Sequence, residues 1–161
     1  MTRARSWLLA LFLLVMAMTL VVGGPVGEVR VGEHAPAGAE YATVTFVDES
    51  GSELGQVSGP VLDNRSERYT GLSETESLDP NEGMIFVYDD EATRSFVMQN
   101  MSFPLDIIFV GADRRITVIH HAAVDDEGRF TGKARWVIEV NRGYTDEHGV
   151  SVGDEVQGLP R

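Results

Sequence analysis

The chain has 161 residues, enough for one domain and a short extension, and its formal net charge is −12. Arg3 and Arg5 lie in the first 24 residues and no acidic residue does, so the remainder holds 11 of the 13 basic and all 25 acidic residues, a net charge of −14. This balance argues against nucleic acid as a partner, because that would require a basic face. With no cysteine, disulfides and thiolate chemistry are excluded.

The type of charge is also informative. Lys133 is the only lysine, against 12 arginines and 25 acidic residues. An acidic, lysine-poor surface is typical of proteins from salt-loving archaea, where molar salt shortens the Debye length to about 3 Å and screens the self-repulsion. We therefore expect a halophilic source, with the acidity serving solubility.

Residues 1–24 are predicted to be a signal anchor or a signal peptide. An apolar run at 7–22 follows Arg3 and Arg5, an arrangement that places the N-terminus inside and the remainder of the chain outside. As a helix this run spans about 24 Å, short of the roughly 30 Å hydrocarbon core, so both alternatives stay open. Pro25 directly after the candidate cleavage site favours the anchor. The expected location is the cell membrane, single-pass with the C-terminal domain outside, or alternatively secretion after cleavage.

Residues 25–40 show no sustained period and are interpreted as a flexible stem before a folded domain at 41–161. Residues 41–47 alternate and are rich in β-branched and aromatic side chains, which predicts a strand, and 48–52 predict a hairpin turn. Further strands are predicted at 84–88, 95–98, 105–110, 116–121 and 135–140, and short helices at 65–72 and 141–148. This spacing predicts a mainly β domain, a compact antiparallel β-sandwich or a barrel-like fold.

An ordered series of motifs resembles a known family. The motifs lie at 68–73, 77–78, 83–88, 96–100, 104–109 and 153–154. Together they are similar to the family called domain of unknown function 192, over about Thr43 to Val156. The resemblance implies a compact, mainly antiparallel β-sandwich, frequently exported or membrane-tethered, and implies no activity. The family pattern after Phe96 runs Trp-Met-Lys-Asn-Thr, and here Val97, Gln99 and Met101 replace the Trp, Lys and Thr, which removes a cation that could hold an anionic ligand.

Four residues are candidates for a ligand-binding site: Asn100, Asp106, Glu139 and Arg68. Asn100 and Asp106 are polar residues between apolar stretches around a proline bend, and strand alternation puts Asp106 on the same face as Ile108. They either hydrogen-bond turn amides or face a ligand. Glu139, on a partly apolar strand face, either pairs with Arg68 or lies at the mouth of a cleft.

Other patterns give weaker signals. His120 and His121 are adjacent in a predicted strand and therefore point to opposite faces, which disfavours a shared metal ion. No serine has the spacing of a nucleophile elbow, and no phosphate-binding loop is present. No cofactor is predicted.

Three functional hypotheses remain open, one of which is a purely structural envelope component that would have no concave polar site. The first is a membrane-tethered, extracytoplasmic binding module without catalytic activity, for a small polar or carbohydrate-like ligand or a partner protein. The alternative is an envelope hydrolase that uses Asp106 and Glu139 as paired carboxylates for general acid and base roles. It requires both carboxyl groups in one pocket, about 5 to 9.5 Å apart.

Overall fold

The computed structural model describes residues 39–161, so the predicted leader at 1–24 and most of the stem at 25–40 lie outside the described residues. The described part contains seven strands and two short helices. In chain order they are β1 (Tyr41–Val47), β2 (Glu53–Leu62), α1 (Arg65–Thr70), β3 (Gly83–Phe96), β4 (Leu105–Val110), β5 (Ile116–Ala122), β6 (Phe130–Asn141), α2 (Tyr144–His148) and β7 (Glu155–Gln157). Over residues 39–161, no helix has the length and apolarity needed to cross a membrane.

The seven strands form one mixed sheet, in the order β5-β4-β6-β3-β2-β1-β7, that curls into a half-barrel. The expectation of a mainly β domain with short helices is confirmed. The arrangement differs from an antiparallel sandwich, because a single sheet is present and β2 pairs with β3 in parallel at Val61–Ile85 and Leu62–Phe86. Parallel neighbours require a crossover connection, and residues 63–82, which contain α1, supply it.

Apolar side chains cover both faces of the sheet. One cluster, face A, contains Ile108, Ile138 and Val140 together with Tyr144 of α2. The opposite cluster, face B, contains Phe86, Phe109 and Val137, among others. Because successive strand residues point to opposite faces, a strand buried on both sides is apolar throughout, and all six positions of β4 are buried.

The strand bounds show which sequence signals were sufficient. β1 and β4 have the predicted bounds, and α1 starts where predicted, with the Asn64 side chain accepting a hydrogen bond from the Glu67 amide at 3.0 Å. The predicted strands at 84–88 and 95–98 belong to one strand, β3, because β6 pairs with it on both sides of an irregularity between Val87 and Ala92. The three-residue β7 was not predicted, since its pairing with β1 is long-range.

Candidate functional site

The Asp106 carboxylate is fully buried on face A and has five hydrogen bonds. Its Oδ2 accepts from the backbone amides of Gly143 and Thr145 at 3.1 and 3.0 Å and from the Thr145 hydroxyl at 2.8 Å. Its Oδ1 lies 2.7 Å from His121 Nδ1 and 3.2 Å from Arg142 Nη1. Gly143 begins α2 and has no side chain to cap it, so Asp106 supplies the acceptor from β4.

These contacts decide the ionisation of Asp106. Burial alone would raise its pKa, but the hydrogen bonds from His121 and Thr145 outweigh burial and lower the pKa below the usual value. The expectation that Asp106 hydrogen-bonds turn amides is confirmed, and the group is an anion saturated by its own protein.

The two predicted catalytic carboxylates are not brought together. Asp106 is paired with Val140 across β4 and β6, whereas Glu139 is paired with Ile107. Paired residues share a face, so Asp106 lies on face A with Val140 and Glu139 lies on face B with Ile107. The hydrolase hypothesis, which required one pocket for both groups, is therefore wrong on geometric grounds.

Glu139 faces a cavity of about 260 Å³ on face B. Glu139 is only 6 % exposed. Its carboxyl group makes no hydrogen bond or ion pair within residues 39–161. Burial raises the pKa of Glu139 to about 8, so the group is mostly a neutral acid at pH 7. A neutral carboxylic acid can both donate and accept a hydrogen bond.

Arg68 lines the same cavity but does not pair with Glu139, which corrects the expected ion pair. Its Nη1 donates to the carbonyl oxygens of Asp63 and Val87, the latter at 2.8 Å. The guanidinium lies 4.7 Å from the ring centroid of Tyr88. Two carbonyl oxygens and an aromatic ring hold Arg68 in place. Glu139 lies at the cavity without Arg68 as a partner, which is the second of the two alternatives given for it from the sequence.

Asn100 also lines the cavity, from the turn after β3. Its φ is +60°, a left-handed conformation that asparagine adopts more readily than most residues, and the Met101 amide donates to the Met98 carbonyl across it at 3.3 Å. Asn100, Glu139 and Arg68 therefore meet at one cavity, whereas Asp106 belongs to a separate cluster.

Several cavity residues were not predicted. Tyr88 projects to the Glu139 side because Met84, Phe86 and Tyr88 alternate along β3 and Met84 is paired with Glu139. Burial raises the pKa of Tyr88, and Glu139 adds to this, while Arg68 and Arg94 oppose it. Strand alternation would have identified the face of Tyr88, but not its neighbour, because the pairing of β3 with β6 is long-range.

Metal ligation is not indicated in the described part of the chain, where no cluster of three His, Asp or Glu side chains is placed to hold an ion. As expected for adjacent strand residues, His121 contacts Asp106 on face A, whereas the His120 ring packs against Phe109 of face B at 5.6 Å between centroids.

Residues 46–158 match the family DUF192, described as "Uncharacterized ACR, COG1430", and the chain belongs to this family. No curated protein matches the sequence.

Two solved structures are similar to the chain. One is a candidate transcription regulator from Sinorhizobium meliloti 1021, with 26% identity, a TM-score of 0.71, and coverage of 77% of this chain and 98% of that one. The other is a protein of unknown function from Novosphingobium aromaticivorans DSM 12444, with 33% identity, a TM-score of 0.70, and coverage of 77% and 89%. The half-barrel is thus shared with relatives whose descriptions give no ligand.

Proposed function

We propose that the protein is a membrane-tethered, extracytoplasmic binding module without catalytic activity, and that its cavity holds a small polar, carbohydrate-like ligand. The observation that carries the proposal is Glu139, a buried carboxyl group that opens into a cavity and has no hydrogen-bonding partner in residues 39–161. Among the described residues, Arg135 Nε is the one buried side-chain polar atom without a partner, so the Glu139 oxygens are accessible from the cavity, where water or a ligand can hydrogen-bond to them. A ligand hydroxyl would take the place of that water.

The remainder of the cavity supports a sugar-sized ligand. Ser73, Gln99 and Asn100 contribute a hydroxyl and two amides to the lining, and Tyr69, whose residue is 91 % exposed, adds an aromatic ring at the rim. An exposed ring offers an apolar surface on which a sugar can stack while its hydroxyls bond the polar groups. The volume of about 260 Å³ lies just below the roughly 300 to 1,000 Å³ typical of drug-sized ligands, which favours a single small unit.

Titration of the full-length chain in detergent with monosaccharides and polyols tests this proposal. We expect saturable binding, followed by calorimetry, at pH 6 to 7. Glu139→Leu should weaken it by about tenfold or more, equal to about 1.4 kcal/mol, while the protein remains folded, since no internal partner of Glu139 in residues 39–161 is lost.

The matched control is Glu147→Leu, which makes the same change at an exposed position on α2. It should bind as the wild type does. If no monosaccharide or polyol binds the folded wild type, or if both variants bind equally well, the cavity is not a sugar-type site.

The membrane tether rests on the apolar run at 7–22 and the two arginines before it. The acidic, lysine-poor composition supports a halophilic setting. Protease treatment of intact cells should degrade the domain while leaving a membrane-bound N-terminal fragment. Protection of the domain in intact cells would contradict the extracytoplasmic location, and recovery of the whole chain in the medium would contradict the tether.

A further inference from the structure

The position of Arg68 narrows the ligand class for the same cavity, and the inference rests on the proposed function. Arg68 is the one basic residue among the described residues that line the cavity. Its Nη1 is occupied by the carbonyl oxygens of Asp63 and Val87. Within residues 39–161, its Nε and Nη2 make no hydrogen bond. These two nitrogens share one edge of the guanidinium group, the geometry that binds both oxygens of a carboxylate.

Arg68 is also held in place before any ligand binds. Two carbonyl contacts and the Tyr88 ring, 4.7 Å from the guanidinium carbon, restrain the planar group. A restrained side chain loses little rotamer entropy on binding, and this raises affinity for a ligand that matches its remaining donors. Arg94 packs on the same ring at 3.9 Å but is not among the cavity residues, and its hydrogen bonds go to Asp90 and to the Ala134 carbonyl.

We propose that the ligand is a small sugar acid, with its carboxylate on the free edge of Arg68 and a hydroxyl group on the carboxyl group of Glu139. The two protein groups do not contact each other, so each is available for a different part of one ligand. The neutral form of Glu139 is compatible with a nearby anion, because a protonated carboxyl group does not repel it.

The acidic surface does not exclude an anionic ligand. Charges farther away than about 8 Å are largely screened at physiological ionic strength, so nearby donors dominate the interaction. The uncharged amides of Gln99 and Asn100 line the cavity with Arg68, and Glu139 is its only acidic residue within the described part of the chain.

The test compares D-glucuronate with D-glucuronamide on the wild-type, full-length chain in detergent at pH 6. The two differ only in that the amide has an uncharged NH2 group in place of one carboxylate oxygen. Glucuronate should bind at least tenfold more tightly. Equal binding, or tighter binding of the amide, would overturn the inference. If neutral hexoses bind and glucuronate does not, the inference fails while the proposed function stands. If none of these compounds binds, both fail.

A pair of variants assigns the preference to Arg68. Arg68→Lys keeps the charge but removes the bidentate edge, and it should reduce the preference for glucuronate over glucuronamide at least threefold. Arg94→Lys makes the same change at the other arginine that packs on Tyr88, which does not line the cavity, and it should leave the preference unchanged. An unaltered preference in folded Arg68→Lys would contradict the assignment. Because the wild-type comparison stands alone, unfolding of a variant would not rescue the inference.

Discussion

Asp106 and Glu139 are buried carboxyl groups on neighbouring strands and opposite faces of one sheet, and their environments are opposite. Asp106 is fully buried and accepts hydrogen bonds from two amides, a hydroxyl, an imidazole and a guanidinium. Glu139 is 6 % exposed and has no hydrogen bond or ion pair within the described residues. The pKa of Asp106 is lowered, whereas that of Glu139 is raised to about 8.

This difference in hydrogen bonding indicates that Asp106 stabilises the fold, whereas Glu139 is available to bind a ligand. Asp106 Oδ2 fixes the start of α2 against β4, and Oδ1 contacts His121 of β5 and Arg142, so both oxygens already have partners within the protein. Glu139 makes the domain less stable at neutral pH than a neutral residue would, because folding must protonate a carboxyl group that is ionised in the unfolded chain at that pH. A group that costs stability and opens into a cavity is the stronger functional candidate, since sites commonly trade stability for function.

The largest expected effect is the loss of the Asp106 cluster. Asp106→Ala would leave the amides of Gly143 and Thr145 and the Thr145 hydroxyl without their acceptor, which should destabilise the fold by about 3 to 5 kcal/mol. Urea denaturation at pH 7 measures this as a large drop in the unfolding midpoint. The matched control is Asp146→Ala, because Asp146 is exposed and lies 3.6 Å from the same Arg142, so its loss should cost less than about 1 kcal/mol. Equal losses in the two variants would contradict a structural role for Asp106.

A second, smaller effect depends on pH and concerns Glu139. Its pKa rises from an unfolded value of about 4.3 to about 8 in the fold, so its neutral form is favoured on folding and its stabilising contribution is lost as pH rises through that window. Glu139→Gln removes this titration. At pH 7 the variant should therefore be more stable than the wild type, by on the order of 3 to 4 kcal/mol.

The measurement is the free energy of unfolding between pH 5 and 9. The wild type should lose stability across this range relative to Glu139→Gln, and Glu147→Gln on the exposed surface of α2 should follow the wild type. If the free energy of unfolding depends on pH in the same way for the wild type and Glu139→Gln, Glu139 is solvated. The proposed contrast with the environment of Asp106 would then be wrong.

Local sequence patterns predicted most of the strands and which side chains share a face of each strand. They did not predict which strands pair with each other. The alternation in 105–110 predicted that Asp106 lies on the other face of the strand from Leu105 and Ile107. Asn64 caps the start of α1. Strand alternation and helix capping each depend only on residues close together in the chain. Arg68 was expected beside Glu139, yet its donors reach carbonyl oxygens 5 and 19 residues away. The pairing of β3 with β6 and the capping of α2 by Asp106 depend on contacts between residues at least 34 positions apart, which periodicity in one segment cannot specify.

The smallest expected effect is a partial lowering of the Glu139 pKa, towards the ionised state of Asp106. Gln99 lines the same cavity and is exposed, so Gln99→Lys introduces a cation without altering the core. The charge should stabilise the Glu139 anion and lower its pKa, by no more than about one unit because residue 99 is exposed and solvent screens the pair. Carboxyl carbon chemical shifts followed by NMR against pH measure the change directly. Gln157 is exposed on β7, an edge strand separated from β6 by β3, β2 and β1, so Gln157→Lys should leave the titration of Glu139 unchanged. An unshifted pKa of Glu139 in Gln99→Lys would mean that residue 99 does not act on the carboxyl group and that burial alone sets its pKa.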